Sequence, residues 1–298
     1  MPLPRPLRGI VTPLLTPLSD PDTVDAAALD RLIDHVIGGG VHGIFVGGTS
    51  GEGPAFSIPV QCQIMARSAA RINGRVPLLV GITHAARADA IALASHASRA
   101  GADAVVTAGP LYFPVTQTEL AGYCRALADA CSVPLFLYNI PSHAHVHFEI
   151  DTVLGLSEHP NIAGIKDSSG ELQYLHQLSR LLAPREGFSV LIGPEELTAD
   201  AVMLGVHGGI NGGSNLFPRL YVDLYEAAAR GDLPAVHGLN DRVKEIARRL
   251  YTPTYLQGVK CAAAELGLCR NILAPPGAPL AGMEAEAVRQ AVRELSRQ

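Results

Sequence analysis

Lysine is almost missing from this chain. Of 298 residues only Lys166, Lys244 and Lys260 carry an ammonium group, and arginine supplies the remaining positive charge. Cysteine is sparse and unpatterned. Cys62, Cys124, Cys131, Cys261 and Cys269 are odd in number and contain no CxxC pair, so they read as reduced thiols and not as a disulfide frame or a cysteine zinc site. No stretch of about 18 uninterrupted apolar residues suggests a membrane span. The opening MPLPRPLRGIVTPLL lacks a signal-peptide plan because Pro13 breaks its short apolar stretch. A net charge of −5 leaves no basic face for nucleic acid and no polybasic membrane segment. These absences place the protein in the cytoplasm as an expectation. What remains, 48% hydrophobic and 17% charged residues, is the material of a soluble globular enzyme or binding protein with an ample core.

One rhythm runs through the chain. A short apolar run rich in branched residues ends in Gly, Pro or polar residues, and an Ala/Leu-rich helical stretch follows. The strand candidates are 8–14, 43–48, 77–82, 103–108, 134–139, 163–167, 188–193 and 208–213. Helical segments include 25–37, 87–100, 118–130, 171–182 and 195–205. In the first of these, Leu29, Leu32, Ile33 and Val36 fall at i, i+3, i+4, i+7 and form one apolar stripe. The strands do not alternate polar and apolar residues, as expected of a parallel sheet covered on both faces. Eight such units match the count of a (β/α)8 TIM barrel, with a doubly wound open sheet as the competitor. Past residue 230 the strand rhythm stops. Segments 234–250, 255–267 and 283–297 read as helices. The expected organisation is therefore a barrel over 1–230 and a helical extension over 231–298 packed on it.

In such a barrel the chemistry sits at the C-terminal ends of the strands. GGTSGEG (47–53) is not a Walker A loop, since no Gly-Lys-Ser/Thr follows. Its glycines free backbone N–H groups, and Thr49 and Ser50 add hydroxyl donors, so it suits an anion such as a carboxylate. Glu52 either faces that site or ties the loop down by accepting backbone N–H groups. Tyr138 ends the fifth strand, either as a core tyrosine or as a proton carrier beside a cationic centre. Lys166 ends the sixth strand in GIKDSSG. It is either a surface lysine closing a strand or a desolvated amine able to attack a ketone and form a Schiff base, an electron sink for carbon–carbon cleavage or dehydration.

GGTSGE, YNIPS and GIKDSSG, in that order on strands two, five and six, resemble the dihydrodipicolinate synthase / N-acetylneuraminate lyase family of class I aldolases, over essentially the whole chain. The resemblance implies a (β/α)8 barrel in which Lys166 forms a Schiff base with pyruvate or another 2-keto acid and no separate cofactor or metal is used. It implies that Tyr138 shuttles protons to the adduct and that Thr49 links it into a relay. Tyr112, in GPLYFP, would complete that relay from a neighbouring subunit of a homotetramer, a dimer of dimers. Gly48, Thr49 and Ser50 would hold the keto-acid carboxylate, and Ile210 would line the pocket beside the lysine.

The departures from the family pattern concern the second substrate. Where the synthase motif continues Ser-Arg-Thr-Gly, this chain has Ser142, His143, Ala144 and His145, and the loss of a guanidinium fork removes bidentate carboxylate recognition. The GPEE stretch resembles the region through which the sialic acid lyase contacts its polyhydroxylated substrate, which implies that Glu195, Glu196 and Asn211 bind sugar hydroxyls; the alternative is that Glu195 and Glu196 are first-turn helix residues favoured by the helix dipole. The first expectation is accordingly an aldolase for a 2-keto-3-deoxy sugar acid. The alternatives are dihydrodipicolinate synthase, a keto-acid dehydratase of the same family, and a non-enzymatic barrel that binds keto acids. His143, His145 and His147 would share one face if their segment were extended, a metal-binding alternative to His143 and His145 lining the substrate pocket.

Overall fold

The computed structural model describes residues 3–297. Eight strands pair in parallel and close into a barrel: β1 (Gly9–Pro13), β2 (Gly43–Val46), β3 (Leu78–Gly81), β4 (Ala104–Thr107), β5 (Leu135–Asn139), β6 (Ile162–Asp167), β7 (Ser189–Ile192) and β8 (Gly208–Ile210). The last strand returns to the first, with Ile10 opposite Gly209. Every residue of these strands is buried, which is why their sequences are continuous apolar runs: one face packs inside the barrel and the other under a helix. The TIM barrel expected from the strand count is the fold observed.

Helices α1 (Ala26–Gly38), α2 (Ile58–Ile72), α3 (Arg87–Ala100), α4 (Gln117–Ala130), α5 (Ile150–Ser157), α6 (Leu172–Leu182), α7 (Thr198–Met203) and α8 (Pro218–Arg230) follow the strands in turn. Three more complete the chain: α9 (Leu233–Leu250), α10 (Tyr255–Glu265) and α11 (Gly282–Leu295). Leu29, Leu32, Ile33 and Val36 are the buried stripe of α1. Asp25 caps that helix by accepting from the Ala28 amide, and a Thr116–Glu119 capping box starts α4. Two features depart from the sequence reading. A short antiparallel hairpin, Leu18–Asp20 with Thr23–Val24, sits between β1 and α1; strands of two and three residues are too short to show a period. The helix expected over 195–205 shortens to α7 behind a 3-10 turn, Glu195–Leu197, because the Glu195 side chain turns inward to buried partners. No helix among the described residues is long and apolar enough to cross a membrane.

The β5–β6 pairing sets the site. Tyr138 stands opposite Lys166, and Asn139 opposite Asp167. Alternation sends one pair to each face of the sheet. On the outer face Asn139 Nδ2 donates to Asp167 Oδ1 at 2.7 Å, while Asn139 Oδ1 accepts from the Phe148 amide at 3.1 Å. This buried lock fixes the register that brings Tyr138 and Lys166 side by side at the barrel mouth.

A second buried lock joins the far end of the chain to the barrel. Lys260, on α10, is fully buried and donates to the carbonyls of Thr16 and Ile272, and pairs with Glu52 at 2.8 Å. All three ammonium protons are thereby used. Glu52 also accepts from the Ala274 amide at 2.7 Å. Lys260→Met leaves a buried carboxylate without its cation and is expected to cost about 3–5 kcal/mol in urea unfolding. The Glu52→Gln/Lys260→Met double variant should recover the part due to the unpaired carboxylate, while the Thr16 and Ile272 carbonyls still lack their donor; equal losses in both would show that the charge pairing is not the source.

Candidate active site

Strand ends and the loops that follow them converge on a cavity of about 250 Å³ lined by Thr49, Ser50, Tyr138, Lys166, Ser168, Glu195, Glu196 and Ile210, with Tyr251 and Tyr255 closing one side. The loop after β2 is wound tightly enough that a Cβ on Gly53 would lie 2.0 Å from the Gly47 carbonyl oxygen. Only glycine fits there, and that close approach turns Thr49 and Ser50 toward the barrel axis. Glu52 takes a left-handed conformation and points away, to Lys260 and Ala274. It ties the loop down and does not face the cavity, the second of the two roles its position suggested.

Lys166 is 5% exposed. Its ammonium lies 4.2 Å from the centre of the Tyr138 ring and 5.6 Å from that of Phe45, so aromatic faces replace much of its water. The Tyr138 hydroxyl stands 3.4 Å from Thr49 Oγ1, long for a hydroxyl pair, as is common before a substrate tightens a site. Burial alone would raise the Tyr138 phenol. The charge of Lys166, the Thr49 hydroxyl, and hydrogen bonding from Lys166 and Ser168 outweigh it, and the phenol sits below the ordinary tyrosine range. A phenol of lowered pKa beside a buried amine can give and take a proton at the carbon and oxygen atoms of an adduct on that amine.

A larger cavity of about 440 Å³ adjoins the first and shares Thr49 and Tyr138 with it. Its wall is mainly apolar, from Phe45, Leu111, Ile140, Leu256 and Leu273, and His143 stands at its rim. Desolvation, then His145 and Lys166, push the His143 imidazole below its usual range, so it is neutral at neutral pH. Ser142 Oγ lies 2.9 Å from its Nδ1.

The remaining expectations meet different fates. Gly48 and Ile210 lie on the cavity walls. The Asn211 side chain is buried and donates to the Gly193 carbonyl at 3.1 Å, so that donor is spent inside the protein. Glu195 is spent likewise: it accepts from the Gly213 amide at 2.8 Å, from the Tyr221 hydroxyl at 2.9 Å and from the Tyr251 hydroxyl. The single-face arrangement of His143, His145 and His147 does not form. Residues Pro141–Ala144 make a helical turn and His145 is left-handed, because Pro141 starts a turn where the extended reading required a strand. His147 packs edge-on against Tyr174 with ring centres 4.7 Å apart. Tyr112 is 87% exposed and its neighbour Phe113 73%; within one chain neither reaches Tyr138.

Sequence reading missed Ser168, Tyr251 and Tyr255. Ser168 lies inside GIKDSSG, and only the fold of the β6–β7 loop brings it to Tyr138. Tyr251 and Tyr255 sit around the start of α10, outside the strand-end rule that selected candidates.

Glu195 carries a pH consequence. Burial raises its carboxyl to about 7 despite the three donors. The folded state thus holds the proton more tightly than the unfolded chain. This group stabilises the fold below the unfolded carboxyl pKa, and the contribution is lost as pH rises through about 7, on the order of 3 kcal/mol at about 1.4 kcal/mol per pH unit. Glu195→Gln keeps an acceptor oxygen and does not titrate. Urea titrations are expected to show a flatter decline in stability from about pH 5 to 8 in this variant; an unchanged slope would remove Glu195 as its source.

A sequence profile of the Dihydrodipicolinate synthetase family matches residues 6–295. The 4-hydroxy-tetrahydrodipicolinate synthase of Thiobacillus denitrificans is 35% identical over 286 residues, 96% of this chain and 96% of that protein. The solved structure of dihydrodipicolinate synthase from Bacteroides thetaiotaomicron superposes with a TM-score of 0.95 at 40% identity, covering 98% of this chain and 99% of that one. That of the Acinetobacter baumannii dihydrodipicolinate synthase, complexed with pyruvate, superposes at 0.92 with 29% identity, over 97% and 99% of the two chains.

Proposed function

The chain belongs to the dihydrodipicolinate synthetase family, a family of lyases and synthases, and from that premise we propose that it joins pyruvate to an aldehyde through a Schiff base on Lys166. The observation that carries the reading is the buried Lys166 ammonium packed 4.2 Å from the ring of Tyr138 beside two hydroxyl donors. The steps follow from that geometry. Thr49 and Ser50, with the Gly48 backbone, hold the pyruvate carboxylate. The Lys166 amine attacks C2, water leaves, and an iminium forms. Tyr138, which has given its proton to the departing water, takes one from C3 to form the enamine, whose C3 bonds to the aldehyde carbon. Tyr138 gives its proton to the resulting alkoxide, relayed through Thr49. Water then hydrolyses the iminium, releasing product and restoring the lysine. The iminium is itself the electron sink, so the chemistry needs no separate cofactor.

The names of the relatives support condensation, as in a 4-hydroxy-tetrahydrodipicolinate synthase, over cleavage of a 2-keto-3-deoxy sugar acid, the first expectation from sequence. The commitment of Glu195 and of the Asn211 amide nitrogen to internal hydrogen bonds weighs the same way, while Glu196, the third residue expected to meet sugar hydroxyls, stands on the cavity wall. A second reading, an aldehyde other than aspartate semialdehyde, is favoured by His143: a neutral imidazole at the wall of the larger cavity is a weak partner for a second carboxylate. The exposed Tyr112–Phe113 pair supports a homotetramer in which Tyr112 of one chain reaches the relay of another.

Borohydride with pyruvate is expected to add one reduced pyruvate to the protein, read by intact mass, and Lys166→Ala to abolish it; no adduct with any 2-keto acid would end the Schiff-base reading. Tyr138→Phe should still trap pyruvate while kcat for condensation falls about 10²–10⁴-fold. Condensation with aspartate semialdehyde identifies the synthase; pyruvate release from 2-keto-3-deoxygluconate in its place would restore the sugar-acid lyase. Light scattering of Tyr112→Ala should show a smaller assembly or reduced kcat in an intact tetramer; wild-type levels of both would remove Tyr112 from the site.

A further inference from the structure

The wall opposite Lys166 comes from outside the strand ends. Tyr255, the first residue of α10, points its hydroxyl into the keto-acid cavity, where it lies 2.9 Å from Ser50 Oγ. Space for it is built into the loop after β8: a Cβ on Gly212 would fall 2.0 Å from the Tyr255 hydroxyl. Tyr251, four residues earlier at the end of α9, meets the Tyr255 ring edge to face with centres 4.9 Å apart. Its own hydroxyl donates to Glu195, which also accepts from Tyr221 and the Gly213 amide. The Tyr255 ring therefore rests on a buried network that leaves it one position.

We propose that Tyr255 is a specificity-determining residue for the 2-keto acid, holding Ser50 in the orientation that receives the substrate carboxylate. The inference rests on the pyruvate reading above and extends it to a residue of α10. A serine hydroxyl has one proton. If that proton pointed at Tyr255, Ser50 would present only lone pairs to an anion. The Tyr255 phenol keeps its proton, since burial pushes it above the usual tyrosine range, and Ser50 Oγ is its one hydrogen-bond partner among the described residues, so in the proposed arrangement it is the donor. Ser50 accepts from it, and the serine proton is left to face the cavity. A carboxylate then meets the hydroxyls of Thr49 and Ser50 as donors already oriented, at no cost in reorganisation.

The role predicts a discrimination that simple structural support would not. Methyl pyruvate offers the same C2 ketone without the anionic carboxylate. In Tyr255→Phe, which removes one oxygen atom and keeps the ring, the pyruvate concentration that half-saturates borohydride trapping on Lys166 should rise about tenfold, the worth of one hydrogen bond to a charged group. The value for methyl pyruvate should stay within about twofold. In steady state KM for pyruvate should rise by a larger factor than kcat falls. Ser50→Ala removes the other end of the same bond, so adding Tyr255→Phe to it should weaken pyruvate by no more than about a further twofold. An unchanged pyruvate value in Tyr255→Phe, an equal shift for both carbonyls, or independent losses in the double variant would each overturn the inference while leaving the Schiff-base reading intact. Wild-type protein that traps neither carbonyl overturns that reading and the inference with it.

Discussion

The pairing of β5 with β6 is the constraint on which the site depends. Asn139 and Asp167 join on the outside of the sheet by a buried 2.7 Å hydrogen bond, and the same register sets Tyr138 against Lys166 on the inside. A slip of one residue would exchange the faces, burying the amine under a helix and turning the amide–carboxylate pair into the barrel. Because Asn139 also accepts from the Phe148 amide, the lock holds the chain just beyond the Pro141 turn, and with it the position of His143 at the rim of the second cavity. One outward-facing pair thereby governs the placement of Tyr138, Lys166 and His143.

Around that pair the molecule spends its polar groups in two separate ways. Glu52 and Lys260 neutralise one another beneath the loop that carries Thr49 and Ser50, and Glu195 gathers three donors behind Tyr251. Neither carboxylate is presented to the cavity as a free anion. A fixed negative charge near the hydroxyl donors would repel a carboxylate guest; Glu52 and Glu195 are held by buried partners, and Glu196 stands on the cavity wall with Lys166 and the neutral donors.

Much of this was legible in the chain because the forces behind it are local. Continuous apolar runs identified all eight barrel strands, since a strand covered on both faces has no polar side to show. The strand-end rule then selected Thr49, Ser50, Tyr138 and Lys166, which the fold brings to one cavity. Glu195 was selected for its position and given the wrong partners, because a carboxylate at a loop looks the same whether it meets substrate or three buried donors. Tyr255 and Lys260 were not legible. They lie on a helix buried all round from Gly258 to Ala263, so its pattern singles out no face, and their partners, Ser50 and Glu52, stand more than 200 positions away. The histidine run misled because alternation in sequence becomes alternation in space only in a strand, and Pro141 made a turn instead.

The reach of Lys260 has a kinetic meaning. Its ammonium holds the Thr16 carbonyl across 244 positions, among the longest loops the chain can close, and such contacts form late because their closure entropy comes before any gain. During synthesis the barrel strands leave the ribosome with Glu52 already destined for the interior but without its cation. The loop that carries Thr49 and Ser50 therefore gains its buried anchor only when α10 docks, although it is among the first parts of the chain to be made.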